Sequence, residues 1–237
     1  MRKVQRSTPT KRQPRGTLQE SRIRIAAERL LVEDTGAGGL SFQTLAESLD
    51  IARTAPLYYF GSKVGLLAAI AQHAFAELEK MGILQCLITQ NVDNLHKRAG
   101  SQKLVEIHGN YTLIRCIECN MRYPGSEVPL HSLPPQCPKC NGILKSDTVS
   151  FGEPIPPDAL DSCYSETQLC DCFIVAGTSA TVYPAASFPL AVRQKGGTLI
   201  EINLYESEIT PLCNISLRGP SAEVMPQLIA AIRELRQ

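Results

Sequence analysis

Two Cys-x-x-Cys pairs constrain the fold of this chain more than any other feature of its sequence. Cys116 and Cys119 form one pair, Cys137 and Cys140 form the other, and 17 residues lie between the pairs. This is the spacing of a tetrahedral site made of four thiolates. Such a site leaves no coordination position open for a substrate. The sequence therefore predicts a structural Zn²⁺ that holds a small polar insert at about residues 112–146.

The composition indicates a cytoplasmic protein. No apolar run in the 237 residues approaches the length of a membrane span. The basic start is followed by proline, glycine and polar residues, unlike the apolar core of a signal peptide. Nine cysteines in such a chain favour metal binding, so chance pairs or disulfides are the weaker alternatives.

Charge is distributed unevenly along the chain. Residues 1–82 contain 12 Lys/Arg and 8 Asp/Glu, a net charge of +4, whereas residues 83–237 contain 12 and 15, a net charge of −3. This asymmetry predicts two parts with different partners.

The second part begins with a strand that ends in polar groups. Residues 86–88 are a short apolar run, and residues 89–93 place four polar side chains directly after it. A second apolar segment, residues 104–107, leads to His108, and Gly109 leaves the backbone beside the imidazole open to close approach.

Three more strands are predicted, and each precedes small or polar residues. The strands are residues 172–176, 198–202 and 214–217, followed by Gly177-Thr178-Ser179, Asn203 and residues 219–222 respectively. Ligands bind at the carboxyl ends of strands in open α/β sheets. One cleft is therefore expected to collect all of these residues together with those after residue 88.

The motif around the first strand resembles a known family. Residues 89–100 read Thr-Gln-Asn-x-Asp-x-Leu-His-x-x-Ala-Gly, and His108-Gly109 follows downstream. This string closely resembles the sirtuin family of NAD-dependent protein deacylases. The resemblance covers about residues 74–237 and begins after the family's first strand and glycine-rich loop. It implies an incomplete α/β Rossmann-like parallel-sheet domain at residues 76–237, with the zinc module inserted.

The resemblance also implies site residues. His108 would be the catalytic base and Asn91 would orient the ribose of NAD and a water. Matching NAD-binding positions are Gln90, Asn91, Asp93, Gly177, Thr178, Ser179, Asn203 and Ala222. Val149, Phe151 and Gly152 would pair with an acyl-lysine peptide by strand addition. Without the resemblance, residues 147–154 also suit an ordinary edge strand, and a lone histidine suits a core position.

The first part is predicted to be a small helical domain. Residues 1–16 hold six basic and no acidic residues and are expected to be a disordered tail. Apolar residues at helical spacing predict a helix from Thr17, and Ser41 is a plausible N-cap for a second helix. Asp50 then turns the chain into a third segment, residues 52–59, which is helix-turn-helix order.

This helical part resembles the DNA-binding domain of TetR-type repressors, at residues 17–75. The resemblance implies that residues 52–59 are a recognition helix and that double-stranded DNA is a partner. The implied contacts are Arg53 and Thr54 to bases, and Tyr58, Tyr59 and Lys63 to phosphates. Asp50 departs from the usual turn glycine, and the apolar residues and tyrosines also suit simple packing of any three-helix unit.

The sequence thus predicts a multidomain chain, an all-α helix-turn-helix domain followed by an incomplete Rossmann-like domain with a zinc module. The first interpretation is a sirtuin-type deacylase that uses NAD, with structural zinc, and acts on acyl-lysine proteins. A second is a DNA-binding regulator whose C-terminal part is inactive or senses NAD. A third is that the join does not occur in a natural protein.

Overall fold

A computed structural model describes residues 15–32, 36–128 and 133–237. The helices are α1 (Arg15–Leu30), α2 (Gly36–Gly39), α3 (Phe42–Leu49), α4 (Ala55–Phe60), α5 (Lys63–Lys80), α6 (Leu95–Ala99), α7 (Pro157–Leu169), α8 (Ser187–Gln194) and α9 (Ser221–Leu235). The strands are β1 (Leu87–Thr89), β2 (Leu104–Glu106), β3 (Gly109–Cys116), β4 (Arg122–Pro124), β5 (Leu144–Thr148), β6 (Cys172–Ala176), β7 (Thr198–Asn203) and β8 (Ile215–Arg218).

The chain divides into two compact units, residues 1–68 and residues 69–237. The division falls inside α5, as does the predicted boundary after residue 75, which stays a prediction. Most of the predicted tail, residues 1–14, lies outside the described residues. In the described ranges, no helix is both long and apolar enough to cross a membrane, and the cytoplasmic location stays a prediction.

The first unit is helical throughout its described elements. Ile23 and Ala27 on α1 are fully buried, as are Leu45 and Ala46 on α3, because their spacing places them on one face of each helix. The predicted N-cap of α3 is confirmed, since the Ser41 hydroxyl accepts a hydrogen bond from the Thr44 amide at 3.0 Å. Residues 36–39, between α1 and α3, form one short helical turn.

The turn and the helix after α3 differ from the sequence prediction. Asp50 adopts the left-handed conformation (φ 51°) that ends α3, so an aspartate occupies the position expected for glycine. Helix α4 begins at Ala55, not at residue 52. Pro56 explains the shift because proline fits only the first turn of a helix. Arg53 and Thr54 consequently lie in the turn before α4.

The second unit contains a layer of parallel strands in two separate sheets. Strand β1 pairs with β2, and β6, β7 and β8 pair in that order. We call these five strands the parallel layer. Leu87 on β1 and Ile174 on β6 pack into one apolar cluster with Phe75 and Met225, from α5 and α9. The two sheets thus share an apolar face although no described strand joins them.

A third sheet, which is antiparallel, forms the zinc insert, which we define as β3, β4, β5 and the four clustered cysteines. The order is β4-β3-β5, with a bulge between Asn110 and Ile114. Ion pairs support it: the buried Asp147 carboxylate lies 2.9 Å from Arg115 Nε and 2.9 Å from Arg122 Nε. The predicted insert at about residues 112–146 falls within this sheet.

Candidate functional site

The four cysteines predicted to bind zinc lie together in the insert. Their sulfur atoms are all within 4.8 Å of one another, with Cys116 and Cys140 at 3.5 Å and Cys119 and Cys137 at 3.7 Å. Four sulfurs about 2.3 Å from one Zn²⁺ in a tetrahedron stand about 3.8 Å apart. The cluster therefore has the dimensions of a closed four-thiolate zinc site, and the zinc prediction agrees with it.

The surroundings of Cys137, one of the four clustered cysteines, favour its thiolate. Burial opposes ionisation of Cys137, but hydrogen bonds from the Tyr123 hydroxyl and from the amides of Cys140 and Lys139 outweigh it and lower the pKa of Cys137 to about 6. Thiolate is the form that binds zinc. The insert thus supplies a metal-binding form of this thiol at neutral pH.

The carboxyl edge of the parallel layer brings together four of the predicted cofactor residues. Gln90, which follows β1, donates from Nε2 to the Thr178 hydroxyl at 3.4 Å. Asn203, at the end of β7, donates from Nδ2 to the Thr178 carbonyl at 2.8 Å. Gly177 adopts φ 61°, a conformation that favours glycine, at the end of β6. Residues far apart in sequence therefore form one polar edge.

His108 lies at the start of the zinc insert and faces this edge. Its Nδ1 is 3.3 Å from the carbonyl oxygen of Gln90, and its own carbonyl accepts a hydrogen bond from the Val149 amide at 3.0 Å. Gly109, with φ 78°, lies so close to the Asp147 carbonyl that a Cβ would collide with it. A glycine is required there, and it fixes the imidazole beside residue 90.

Asn91 and Asp93 have different surroundings. Asn91 is exposed, and its backbone N–H donates to the Thr89 hydroxyl at 3.1 Å. It also lines a cavity described below. Asp93 Oδ1 accepts from the Leu95 amide at 3.0 Å, at the start of α6. In this structure the Asp93 carboxylate therefore stabilises the turn before α6. Its contact with NAD stays a prediction.

Two cavities open at the polar edge and share Gly177, Thr178 and Ser179. The loop cavity, about 560 Å³, lies between these residues, Asn203 and residues 205–208. The sheet cavity, about 410 Å³, lies between β1 and β6 and reaches Gln90 and Asn91. Seven of the predicted binding and catalytic residues are thus near one edge, since His108 contacts Gln90.

Four of the remaining predicted positions border the site less directly. Ala222 is buried in the first turn of α9 and is not among the residues that line either cavity. Val149 is half-buried and pairs with His108, whereas Phe151 is 99% exposed and Gly152 adopts φ 81°. An exposed phenylalanine beside a paired extended segment leaves an edge that a peptide can approach.

Sequence reasoning missed two buried polar groups that shape the site. Glu201 on β7 is fully buried and binds Ser207, Thr210 (2.7 Å) and Arg218 (2.8 Å), which holds the loop that lines the loop cavity. Asn110 is 1% exposed and donates to Asn94 and Glu106 at 3.1 and 2.7 Å. Glu201 interrupts an apolar strand, and that interruption was the available signal.

The predicted DNA contacts lie on the first unit. Arg53, Thr54 and Tyr58 are exposed, the last by 82%, and Tyr59 and Lys63 are half-buried. Arg53 reaches Glu47 at 3.5 Å, and the rings of Tyr58 and Tyr59 meet edge to face at 5.1 Å. The aromatic contact is consistent with the packing alternative for Tyr59.

Comparisons with known proteins identify a family. The model of the Sir2 family matches residues 39–184. An NAD-dependent protein deacylase 1 of Archaeoglobus fulgidus is 49% identical over 164 residues, which cover 69% of this chain and 67% of the relative. The deacylase of Thermococcus kodakarensis is 44% identical over 171 residues, covering 70% and 66%.

Solved structures give the same result. A Sir2 homologue in complex with NAD is 48% identical with a TM-score of 0.64, covering 71% of this chain and 66% of the other. A Sir2 complex with a p53 peptide and NAD⁺ is 34% identical with a TM-score of 0.61, covering 69% and 70%. This chain spans about two thirds of the length of these relatives.

The comparisons confirm the sirtuin resemblance, and with it the enzyme class and the NAD cofactor that the sequence predicted. The matched range begins at residue 39, among the helices of the first unit, so the predicted start near residue 74 stays a prediction. The match spans more than half of the 237 residues, and the chain belongs to the Sir2 family.

Proposed function

We propose that this chain is an NAD-dependent protein-lysine deacylase that releases nicotinamide and acyl-ADP-ribose. One observation carries the proposal: a chain of contacts runs from His108 through Gln90 and Thr178 to Asn203 along the carboxyl edge of the parallel layer. A base and a nucleotide-sized cavity therefore lie at the same edge. Relatives with 40–49% identity bear deacylase or deacetylase names.

The residues at this edge fit a nucleoside. The loop cavity offers the hydroxyls of Thr178 and Ser179, the amide of Asn203 and the carboxylates of Glu206 and Glu208, which suit ribose hydroxyls and a base. Among the described residues that line the two cavities, none is Lys or Arg. Donors for the pyrophosphate would therefore be hydroxyls, side-chain amides or backbone amides of these walls, or groups from outside them.

His108 would act as the general base. Bound NAD would supply a ribose carbon from which the acyl oxygen of the substrate displaces nicotinamide. His108 would then accept a proton from a ribose hydroxyl, and its contact with the Gln90 carbonyl holds the ring in place. Asn91, next to the cavity mouth, would orient the ribose and a water, as the family resemblance implies. Asp93 and Ala222 complete the proposed cofactor set.

An acyl-lysine segment would bind along residues 149–152. The Val149 amide already pairs with the His108 carbonyl, so a peptide added beside this segment reaches the base. Main-chain pairing would give affinity with little dependence on sequence. Exposed Phe151 would cover the substrate side chain.

Nicotinamide release tests the proposal. Full-length, zinc-loaded protein is mixed with NAD and an acetyl-lysine peptide, and nicotinamide is quantified by chromatography. We expect multiple-turnover release that falls at least about 100-fold in His108→Ala, because the proton transfer assigned to His108 must follow nicotinamide loss before the next turnover and a positioned base contributes about 10²–10⁴-fold. His73→Ala, which removes a half-buried histidine from α5 away from both cavities, is the matched control. Release equal in both variants would contradict the assigned base.

We propose a second function, DNA binding by a TetR-like domain at residues 17–75. The supporting observation is local: α3, a left-handed turn at Asp50 and α4 follow one another, with Arg53, Thr54 and Tyr58 exposed at the start of α4. With Tyr59 and Lys63 they would contact bases and phosphates. The deacylase domain would then be an inactive or NAD-sensing module joined to a regulator.

Fluorescence anisotropy with a mixed-sequence DNA duplex tests this second function. Binding should weaken several-fold in Arg53→Ala and fall steeply with salt. Arg22→Ala, an exposed arginine on α1, is the control. Absence of binding to the duplex at low salt would exclude DNA binding by residues 17–75. Binding that survives His108→Ala, combined with no nicotinamide release, would favour the regulator over the enzyme.

A further inference from the structure

The segment assigned to the acyl-lysine peptide ends in a turn that two hydrogen bonds close. The Glu153 amide donates to the Ser150 carbonyl at 2.9 Å, and the Glu153 carboxylate accepts from the Ser150 amide at 3.1 Å. Gly152 adopts φ 81°, where a side chain would be strained. Phe151 is 99% exposed, so packing does not hold it. The contacts of Glu153 therefore determine where this turn places Phe151.

Two cations of the zinc insert hold the Glu153 carboxylate. Lys145 Nζ lies 2.7 Å from Glu153 Oε1 and 2.6 Å from Oε2, and it also donates to the Thr148 carbonyl at 2.7 Å. Arg115 Nη2 lies 3.2 Å from Glu153 Oε1. The hydrogen bond from Lys145 is the main cause that lowers the pKa of Glu153, so this group is a carboxylate at neutral pH. We call Arg115, Lys145 and Glu153 the Glu153 clamp.

The clamp and the cysteine cluster share one pair of strands. Arg115 on β3 pairs with Lys145 on β5, and the next pair along these strands is Cys116 with Leu144. Leu144 is buried in the apolar cluster that contains Cys116. The register at the cysteine cluster therefore places the two cations of the clamp opposite each other. Because like charges directly opposite destabilise a sheet, the pair needs the carboxylate that both cations contact.

We propose that Glu153 is a positioning residue for the acyl-lysine peptide and that Lys145 and Arg115 act through it. The inference rests on the proposed deacylase function, because it concerns the peptide-binding segment of that site. An edge that is already ordered loses little conformational entropy when a peptide strand is added to it. The Val149 amide fixes one end of the segment on the His108 carbonyl, and the clamp fixes the other end. The zinc insert thus contributes to peptide affinity although zinc takes no part in the chemistry.

The clamp lies apart from the proposed cofactor site. None of its three residues is among the described residues that line the loop cavity or the sheet cavity. Removal of the Glu153 carboxylate should therefore weaken peptide binding and leave the affinity for ADP-ribose unchanged. A merely structural role would instead lower both affinities together with the zinc content.

Fluorescence anisotropy of a labelled acetyl-lysine peptide tests the proposal on the zinc-loaded chain, with ADP-ribose affinity measured by calorimetry. Glu153→Ala should weaken peptide binding at least about tenfold, because the segment must then be ordered at the expense of binding. ADP-ribose affinity should stay within about twofold. Glu127→Ala removes an exposed glutamate that follows β4 and is the matched control. Equal peptide affinity in the two variants would overturn the proposal.

A double-mutant cycle tests whether Lys145 acts through Glu153. Lys145→Met removes the charge at similar length and should weaken peptide binding several-fold. The double variant Lys145→Met/Glu153→Ala should bind no more weakly than Glu153→Ala alone, because a contact removed once cannot be lost again. Lys145→Arg keeps a cation at this position and should retain most of the affinity. Additive losses in the double variant would contradict the clamp.

Glu153→Gln is the second variant if Glu153→Ala fails to retain zinc. Its amide oxygen can still accept from the Ser150 amide, whereas both ion pairs are lost. Peptide affinity should fall several-fold, with one zinc per chain as evidence of folding. Unchanged affinity in Glu153→Gln would show that Lys145 and Arg115 do not act through Glu153.

Nicotinamide release separates this proposal from the deacylase function. Anisotropy needs no turnover, so a chain that binds the peptide through the clamp and releases no nicotinamide would contradict the deacylase function alone. In an active chain, Glu153→Ala should raise the KM for the peptide and keep kcat within about twofold, the pattern of a lost uniform binding contact. A fall in kcat with an unchanged KM would overturn the positioning role. Absence of peptide binding by the unmodified chain would contradict both proposals.

Discussion

The zinc insert and the parallel layer of the same unit differ in how their strands are held. In the insert, three strands within 40 residues pair with one another in a single sheet, and four clustered thiols and a buried ion-pair network join them. In the parallel layer, strands far apart in sequence form two sheets with free edges between them. The difference shows that zinc ligands and ion pairs can stabilise a small sheet made of residues close in sequence. A parallel sheet, in contrast, forms only when strands far apart in sequence pair.

The largest expected effect comes from removing a zinc ligand. Cys116→Ser should abolish zinc binding and unfold the insert, because apparent zinc-binding energies of about 10–16 kcal/mol support such modules. Since β3 begins beside His108, the contact of His108 with the polar edge should be lost as well. Zinc stoichiometry and urea unfolding measure the result. Cys213→Ser, a half-buried cysteine away from the cluster, is the control. One zinc per chain in Cys116→Ser would refute the assigned site.

A smaller effect is expected from the ion pairs of the insert. Asp147→Ala leaves the buried guanidinium of Arg115 and the half-buried one of Arg122 without their shared carboxylate. Breaking a buried pair by removing one partner costs about 3–5 kcal/mol, and the Glu153 carboxylate, 3.2 Å from Arg115, should keep the loss near the lower limit. Urea unfolding of zinc-loaded protein measures it.

Asp161→Ala provides the comparison for that measurement. Asp161 is exposed on α7, and its removal should change the free energy of unfolding by less than about 0.5 kcal/mol. If Asp147→Ala lowers the free energy of unfolding by no more than this, zinc alone holds the insert together. The ion pairs would then not explain why the insert and the parallel layer differ.

Local patterns in the sequence predicted much of the molecule. Cysteine spacing located the cluster, the Ser41 cap located α3, and short apolar runs located β1, β2, β6, β7 and β8. The cap and the strands depend on residues within one turn or one strand, and the cysteine pattern spans only 25 residues. The polar edge followed because residues such as Gln90 and Asn203 come directly after strands.

What the sequence did not predict depends on long-range pairing. Within the described ranges β1 pairs with β2 alone, and the sheet cavity lies between β1 and β6; both depend on which distant strands pair, which no local pattern reports. The contacts of Glu201 with Thr210 and Arg218 likewise follow from tertiary packing. The late start of α4 could have been read from Pro56, whose place in the first turn was not used.

The smallest predicted effect is a pH dependence in the parallel layer. Burial alone would raise the pKa of Glu201, but hydrogen bonds from Ser207 and Thr210, together with Arg218, outweigh it and hold the pKa below its usual value. A carboxyl with a lowered folded-state pKa stabilises the fold above its unfolded-state pKa, about 4.3. That contribution is lost as the pH falls through the folded-state pKa.

Glu201→Gln should therefore cost about 2 kcal/mol of unfolding free energy at pH 7, the range for a hydrogen bond to a charged group. The difference from the unmodified chain should shrink as the pH falls below about 4.3, because protonation removes the same charge. Glu234→Gln, exposed on α9, is the control and should show no such convergence. Since Glu201 holds the loop that lines the loop cavity, adenosine or NAD affinity should fall with stability at pH 7. A difference independent of pH would mean that packing, and not the charge of Glu201, holds this loop against β7.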